Sequence, residues 1–370
     1  MVELADIFQR YGPVYRAKYA DRLLPSHRAA MQAIEDCRTE TLGGHVYHCD
    51  DCDETRYSYH SCQNRHCPKC QNDAAQDWLA QQQDLLLPTP YFILTFTLPA
   101  SLREIARSHQ KLVYSSLFRS AAAATQDLAQ DAHHIGGQIG LIGVLHTWTR
   151  DLAYHPHVHF LVPAGRLTPA GDAWLPAGET FLLPVKPLSI LFRAKFRTAL
   201  KQTALFDQAS AEVWRQDWVV HCKSVGQGVG ALKYLAPYVF RVAISNNRIL
   251  QAKDDTVTFR YTASDTRQSK LCTLNAEEFI RRFLQHVLAK GFVKVRYYGL
   301  YSPGNRARLA QARRLLGAAD SAQPTDGQPE SRRLESVEGA TQPNLAQQCP
   351  KCVKTMTLRQ TIRPRTRCPP

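Results

Sequence analysis

Apolar positions recur at helical spacing through residues 14–36, where Val14, Tyr19, Leu23, Leu24, Met31 and Ile34 predict a helix or a helix pair. After Cys70, NDAAQDWLAQQQDLLL keeps a helical period until Pro88 stops it. The pattern then changes. YFILTFTLP, 91–99, is rich in aromatic and β-branched residues and predicts the first strand. An alanine-rich helical stretch runs from Leu102 to about Ala132. Next, QIGLIGVLHTWTR and AYHPHVHFLVPAG flank Asp151-Leu152, a connection short enough for a hairpin. LSILFRAKFRTALKQTALF, 188–206, reads as a basic amphipathic helix. Residues 239–263 resemble strand, Asn-Asn turn, strand, Asp-Asp turn, strand, and AEEFIRRFLQHVL (276–288) and FVKVRYYG add a helix and a strand. Beyond about Leu316 apolar residues thin out among Gln, Ser, Pro, Gly and Asp, the composition of a flexible tail.

Composition adds a partner class. The 370 residues hold 46 Lys and Arg against 32 Asp and Glu, a formal net charge of +14. An excess of that sign favours a polyanionic partner, although it speaks to attraction and not to fold. No run of eighteen apolar residues predicts a membrane span. MVELADIFQRYG lacks the basic-then-apolar pattern of a signal peptide, so a cytoplasmic protein is expected.

Eleven cysteines in such a chain point to metal rather than disulfides, because the cytosol keeps thiols reduced. Six fall between residues 37 and 70, as Cys37, Cys49-x-x-Cys52, Cys62 and Cys67-x-x-Cys70. Two Cys-x-x-Cys units about fifteen residues apart have the spacing of knuckles on one tetrahedral ion. Cys49, Cys52, Cys67 and Cys70 are therefore expected to bind structural Zn²⁺. Cys37, His45, Cys62 and His66 fit an interleaved Cys2His2 pattern for a second zinc, and ordinary core or surface histidines account for the two His equally well. Cys349-Pro-Lys-Cys352 is half a knuckle, read either as the remnant of a zinc ribbon with Cys368 or as two idle thiols.

The histidine segment raises a sharper question. Alternate strand residues share a face, so His157 and His159 project together while Val158 and Phe160 face a core. Neutral imidazole is the commonest protein metal ligand, although a lone His-x-His is a weak signal. If the hairpin turns at Asp151-Leu152, His146 falls opposite His157 and supplies a third ligand; a one-residue slip would put Asp151 or His155 next in line. Downstream, VGQGVGALKYLAPYVFR carries Tyr234 and Tyr238, four residues apart and on one helical face. Pro237 between them strains a regular helix, which places Tyr234 just before it and Pro237 in its first turn. A phenol is a competent nucleophile, and an ion beside it polarises a phosphoryl oxygen. The glycines at 226–230 lack the Gly-Lys-Ser/Thr of a P-loop, so nucleotide hydrolysis is not expected.

These blocks, from CRTETLGGHVYHCDDC through LHTWTRDLAYHPHVHFLVPAG and KYLAPYVFRVAISNNRI to EEFIRRFLQHVLAKGFVKVRYYGLYSPGNRARL, resemble in order the two-tyrosine HUH transposases of bacterial insertion sequences. The resemblance implies an α+β fold: an antiparallel HUH-nuclease sheet with packed helices, after a helical, zinc-binding module. It implies division into a zinc-binding DNA-recognition domain (1–88), an endonuclease domain (89–315) and a basic tail (316–370). It further implies nicking and rejoining of single-stranded DNA at element ends and target through a 5′-phosphotyrosine on Tyr234 or Tyr238. Imidazoles favour softer ions, but the resemblance implies catalytic Mg²⁺ or Mn²⁺ at His157, His159 and His146. A host helicase or the replication machinery would supply unwinding, and the setting would be the bacterial nucleoid. The rival readings are a plasmid replication initiator or relaxase of the same chemistry, a non-catalytic zinc-dependent DNA-binding protein, and a metallohydrolase that needs neither tyrosine.

Overall fold

A computed structural model describes residues 2–70, 85–227, 230, 243–263, 266–317 and 347–365. In chain order, helices α1 (Leu4–Lys18) and α2 (Pro25–Asp36) precede the hairpin β1 (Gly44–Cys49) and β2 (Glu54–Tyr59). Strand β3 (Pro90–Thr97) leads into α3 (Arg103–Ser108) and α4 (Gln110–Gln130), and then β4 (Gly140–Trp148), β5 (Tyr154–Pro163), β6 (Gly165–Leu167) and β7 (Trp174–Pro176). Helix α5 (Val185–Lys201) and strand β8 (Val220–Gln227) follow, then β9 (Ile249–Lys253), β10 (Thr256–Thr262), β11 (Ser269–Asn275) and α6 (Ala276–Leu284). The chain continues through β12 (Val295–Gly299) and α7 (Arg306–Leu315) to β13 (Thr357–Ile362). The fold is mixed α+β, and every strand pairing among the described residues is antiparallel.

The described residues group into two compact units. One combines 2–70, 244–263, 266–287 and 347–365, and the other 85–227, 230, 243 and 288–317. This discontinuous grouping departs from the linear division at 88 and 315. Residues 244–287 join the amino-terminal segment because α6 packs on α1, with Phe8 and Phe283 edge-to-face at 5.4 Å. The predicted flexible tail is also corrected over residues 347–365. There β13 pairs with β1, from Gly44 opposite Ile362 to His48 opposite Thr357, in a sheet ordered β13-β1-β2. A second small sheet, β11-β10-β9, turns at Asp254 and Asp255, both left-handed as a tight Asp-Asp hairpin requires.

The other unit is built on a five-stranded sheet ordered β12-β4-β5-β3-β8. Alternation dictates its two faces. Leu94, Phe96, Leu145, Val158 and Phe160 point toward one side, where α4 and α5 contribute Leu117, Phe118, Phe192 and Phe196. Ile93, Ile142, Val144 and Leu161 point to the opposite side and meet Leu309 and Ala312 of α7. Gly143 lies opposite Phe160 in the β4–β5 ladder, and a Cβ there would come within 2.5 Å of the Phe160 ring. Glycine lets that ring lie across the sheet. The predicted helix from Leu102 to Ala132 is interrupted at His109, whose backbone leaves the helical region between α3 and α4. Helix α5 ends at Lys201 rather than near residue 206. The helix predicted after Cys70 lies largely outside the described residues.

Candidate metal and nuclease centres

The β4–β5 hairpin turns through Asp151 and Leu152, with Leu152 in the left-handed region. Thr149 Oγ1 donates to Asp151, and the Leu152 and Ala153 amides close the turn on Thr149. Near the turn Trp148 pairs with Tyr154, and a one-residue bulge between His146 and Trp148 then sets His146 opposite His157 and Val144 opposite His159. All three histidines share the face that carries Ile142, Val144 and Leu161. One ring nitrogen from each of His146, His157 and His159 lies within 4.8 Å of the others. Ring centroids are 5.3 Å apart for His146 and His157, and 4.7 Å for His157 and His159. His146 and His159 are buried, and His157 is half-buried.

Hydrogen bonds orient these rings. His157 Nδ1 lies 2.7 Å from the His155 carbonyl, which can only accept, so the proton sits on Nδ1 and the Nε2 lone pair faces a ligand. His159 Nδ1 lies 2.9 Å from the Thr95 hydroxyl, and Thr95 pairs with His159 in the β3–β5 ladder. Burial drives the His157 imidazolium pKa down to about 4. Burial, helped by His157, holds His159 well below the ordinary histidine range. Both rings are therefore neutral at pH 7. Three imidazoles converging from two strands fit a small cation with coordination positions left for substrate oxygens.

Two features of this neighbourhood escaped the sequence reading. Arg103 at the start of α3 places Nη2 2.7 Å from His155 Nδ1, and the His155 and His157 rings are 5.2 Å apart. Burial and the Arg103 charge lower the His155 pKa. Trp148 stacks on His146 at 4.6 Å, with the Lys294 ammonium 5.2 Å from its ring centre. The strand alternation could have found Trp148, two residues beyond His146; no local pattern marks Arg103. Tyr234 and Tyr238 lie outside the described residues.

Eight cysteines of the first unit form two four-sulfur groups, each with Sγ atoms within 4.8 Å of one another. Cys37, Cys62, Cys67 and Cys70 make one, with Cys37 Sγ 3.5 Å from Cys70 Sγ. Cys49, Cys52, Cys349 and Cys352 make the other. The expected set of Cys49, Cys52, Cys67 and Cys70 is thus divided between two groups. The reason is topological: β1 and β2 carry Cys49 and Cys52 to the hairpin tip, whereas Cys37 and Cys62 flank the base of that hairpin. The interleaved Cys2His2 set is corrected in the same way. Its cysteines join Cys67 and Cys70, while His45 Nε2 lies 3.4 Å from His60 Nε2, and the His66 amide donates to Asn64.

These separations are far above the roughly 2 Å of a disulfide. Hydrogen bonds from the Cys37, Cys62 and Cys67 thiols pull the Cys70 thiol far below its usual range. A backbone hydrogen bond at Cys352 brings Cys349 to about 6. Four sulfurs gathered this closely, with some already biased to thiolate, have the donor chemistry of tetrahedral zinc.

Residues 140–308 match a Y2 family model described as "Putative transposase", and residues 7–98 match an IS91-type "Transposase zinc-binding domain". The chain is 41% identical over 375 residues to "Putative transposase y4qJ" of Sinorhizobium fredii, across 95% of this chain and 92% of that one. It is 29% identical over 280 residues to the transposase for insertion sequence element IS801 of Pseudomonas savastanoi pv. phaseolicola, across 71% of this chain and 67% of that one. No solved structure matches.

Proposed function

We infer the activity from one premise: the chain belongs to the Y2 transposases of IS91/IS801-type insertion sequences, which carry a transposase zinc-binding domain. It is therefore a transposase acting on DNA, with structural zinc in its amino-terminal module. The finer reading is that it nicks and rejoins single-stranded DNA at the element ends. The observation that carries it is the convergence of His146, His157 and His159 on one face of the β4–β5 hairpin.

In this reading Tyr234 or Tyr238 attacks a phosphorus of the strand as the phenolate. The new bond joins tyrosine oxygen to phosphorus, and the broken bond frees the 3′-oxygen, which leaves as a hydroxyl after taking a proton. The product is a 5′-phosphotyrosine, and the second tyrosine takes the other strand. Bond order at phosphorus is conserved, so no nucleotide need be hydrolysed. The three imidazoles would hold Mg²⁺ or Mn²⁺, which supplies Lewis-acid polarisation of the phosphoryl oxygen when bound. Thr95 and the His155 carbonyl hold the rings in the ligating orientation. Trp148 offers a stacking surface for an unpaired base, and Arg103 and Lys294 offer positive charge to the backbone.

The test is a labelled single-stranded oligonucleotide of the element end incubated with protein and Mg²⁺ or Mn²⁺. A denaturation-resistant protein–DNA adduct is expected, lost in Tyr234→Phe with Tyr238→Phe and severely reduced in His157→Ala or His159→Ala. Cleavage that survives replacement of both tyrosines would instead establish water as the nucleophile.

A further inference from the structure

We infer that Cys49, Cys52, Cys349 and Cys352 form a second zinc site that fastens the carboxy-terminal segment to the amino-terminal hairpin. The match to the zinc-binding family model ends at residue 98, so it spans only half of this ligand set. The sulfurs meet across sequence separations of 297 to 303 residues: Cys52 to Cys349 at 3.3 Å, Cys49 to Cys352 at 3.4 Å, and Cys52 to Cys352 at 3.7 Å.

Both halves are built alike. Each is a Cys-x-x-Cys turn followed at once by a left-handed residue, Asp53 at φ 55° and Val353 at φ 62°. The second turn is closed by the Val353 amide on the Cys349 carbonyl at 2.8 Å, and by the Cys349 amide on the Lys354 carbonyl at 2.7 Å. Left-handed backbone at a β-branched residue is an outlier that persists only where surrounding structure over-determines it. Ligation of one ion by both cysteines of the turn provides that constraint.

The surroundings complete a site for a dianionic tetrathiolate. Lys351 pairs with Glu54 at 2.5 Å, Lys354 with Asp51, and Arg359 with Asp50, so the basic knuckle is registered on the acidic one. Four thiolates around Zn²⁺ leave two negative charges; the lysines beside the site are already paired with Glu54 and Asp51, so their part is to align the two knuckles. Apolar burial here is slight: Tyr47, Cys49, Cys349 and Met356 are the buried members of this cluster. A core that small does not order a terminal strand unaided, whereas soft thiolate ligands at tetrahedral spacing select zinc. The strand also comes close to its neighbour, since a Cβ on Gly43 would fall 2.6 Å from the Ile362 carbonyl oxygen.

The experiment is zinc stoichiometry of the full chain by native mass spectrometry and elemental analysis. Two zinc ions per chain are expected, falling to one in Cys349→Ser with Cys352→Ser, while Cys272→Ser, outside both groups, keeps two. One zinc in the unaltered chain, or two retained after the double substitution, overturns the proposal. Should that double variant fail to fold, Cys352→His decides. It preserves a four-ligand set, and after cobalt replacement it should shift the d–d absorption of about half the bound metal to shorter wavelength. An unshifted spectrum also overturns the proposal.

Discussion

Thr95→Val isolates the role of ring orientation at the three-histidine centre. The substitution keeps the shape of a residue in the middle of β3 and removes the hydroxyl that lies 2.9 Å from His159 Nδ1. The local loss is one hydrogen bond, worth about 1 kcal/mol net, plus the cost of a buried ring nitrogen deprived of that partner. For the unit containing β3, a change of about 1 kcal/mol moves the melting temperature by roughly 2–4 °C. The larger consequence falls on metal affinity. Outer hydrogen-bond partners of ligating histidines typically contribute about 10–100-fold, or about 1.4–2.7 kcal/mol. A Mn²⁺ titration of single-strand cleavage should therefore show the half-activating concentration rising by about 10–100-fold, with cleavage restored at saturating metal. Binding of the same oligonucleotide without metal should change little. A half-activating concentration equal to that of the unaltered protein, in a variant with a normal melting temperature, would refute the argument. Packing alone would then be what orients His159.

Other outcomes test separate parts of the reasoning. Arg103→Ala should lower the cleavage rate more than Arg103→Lys, and should move the His155 resonance pKa upward in an NMR titration, because the neighbouring positive charge helps hold it down. Val353→Gly should raise the temperature of zinc release from the full chain, since relief of a left-handed β-branched residue gives about 1 kcal/mol. Phe160→Ala, which empties a fully buried site against Phe96 and Phe118, should destabilise its unit by about 3–5 kcal/mol in urea unfolding. Glu278 is held at about 2, chiefly by its hydrogen bond to Arg281 and then by Arg282. Its folded pKa lies below the unfolded one, so its stabilisation is full above about pH 4.5 and fades as pH falls toward 2. Its partial exposure limits that contribution to about 1 kcal/mol. The stability difference between the unaltered protein and Glu278→Gln should shrink accordingly between pH 7 and pH 3.

Local pattern carried the sequence reading far where the relevant neighbours are close in the chain. The alternation around His157 and His159, together with a turn at Asp151-Leu152, set His146 across the ladder, and that pairing holds although Trp148 pairs with Tyr154 near the turn, because a bulge between His146 and Trp148 shifts the register by one residue. The three-strand pattern over 239–263 was legible in its second and third strands, which are β9 and β10 on either side of the Asp254-Asp255 turn, whereas Asn246 and Asn247 lie in a short 3-10 segment and the first strand falls largely outside the described residues. Strand β8 gave no clear signal, being an edge strand of polar composition that, among the described residues, pairs only with β3. Cysteine partnership was illegible for a different reason. Spacing identifies a knuckle but does not choose between knuckles, and the choice is made by β13 returning to β1 across the whole chain. Arg103 reaches His155 through the packing of α3 on the sheet, which no periodicity encodes.

The β13–β1 pairing also has a consequence for synthesis. At elongation speeds of about 5–20 residues per second, some 300 residues separate the emergence of Cys52 from that of Cys352, an interval of roughly fifteen seconds to a minute. Throughout that time the edge of β1 that pairs with β13, and the thiols of Cys49 and Cys52, wait without their partner. A chain released before residues 357–362 are made never closes this sheet, so that edge of β1 is completed only after some 300 further residues have been synthesised.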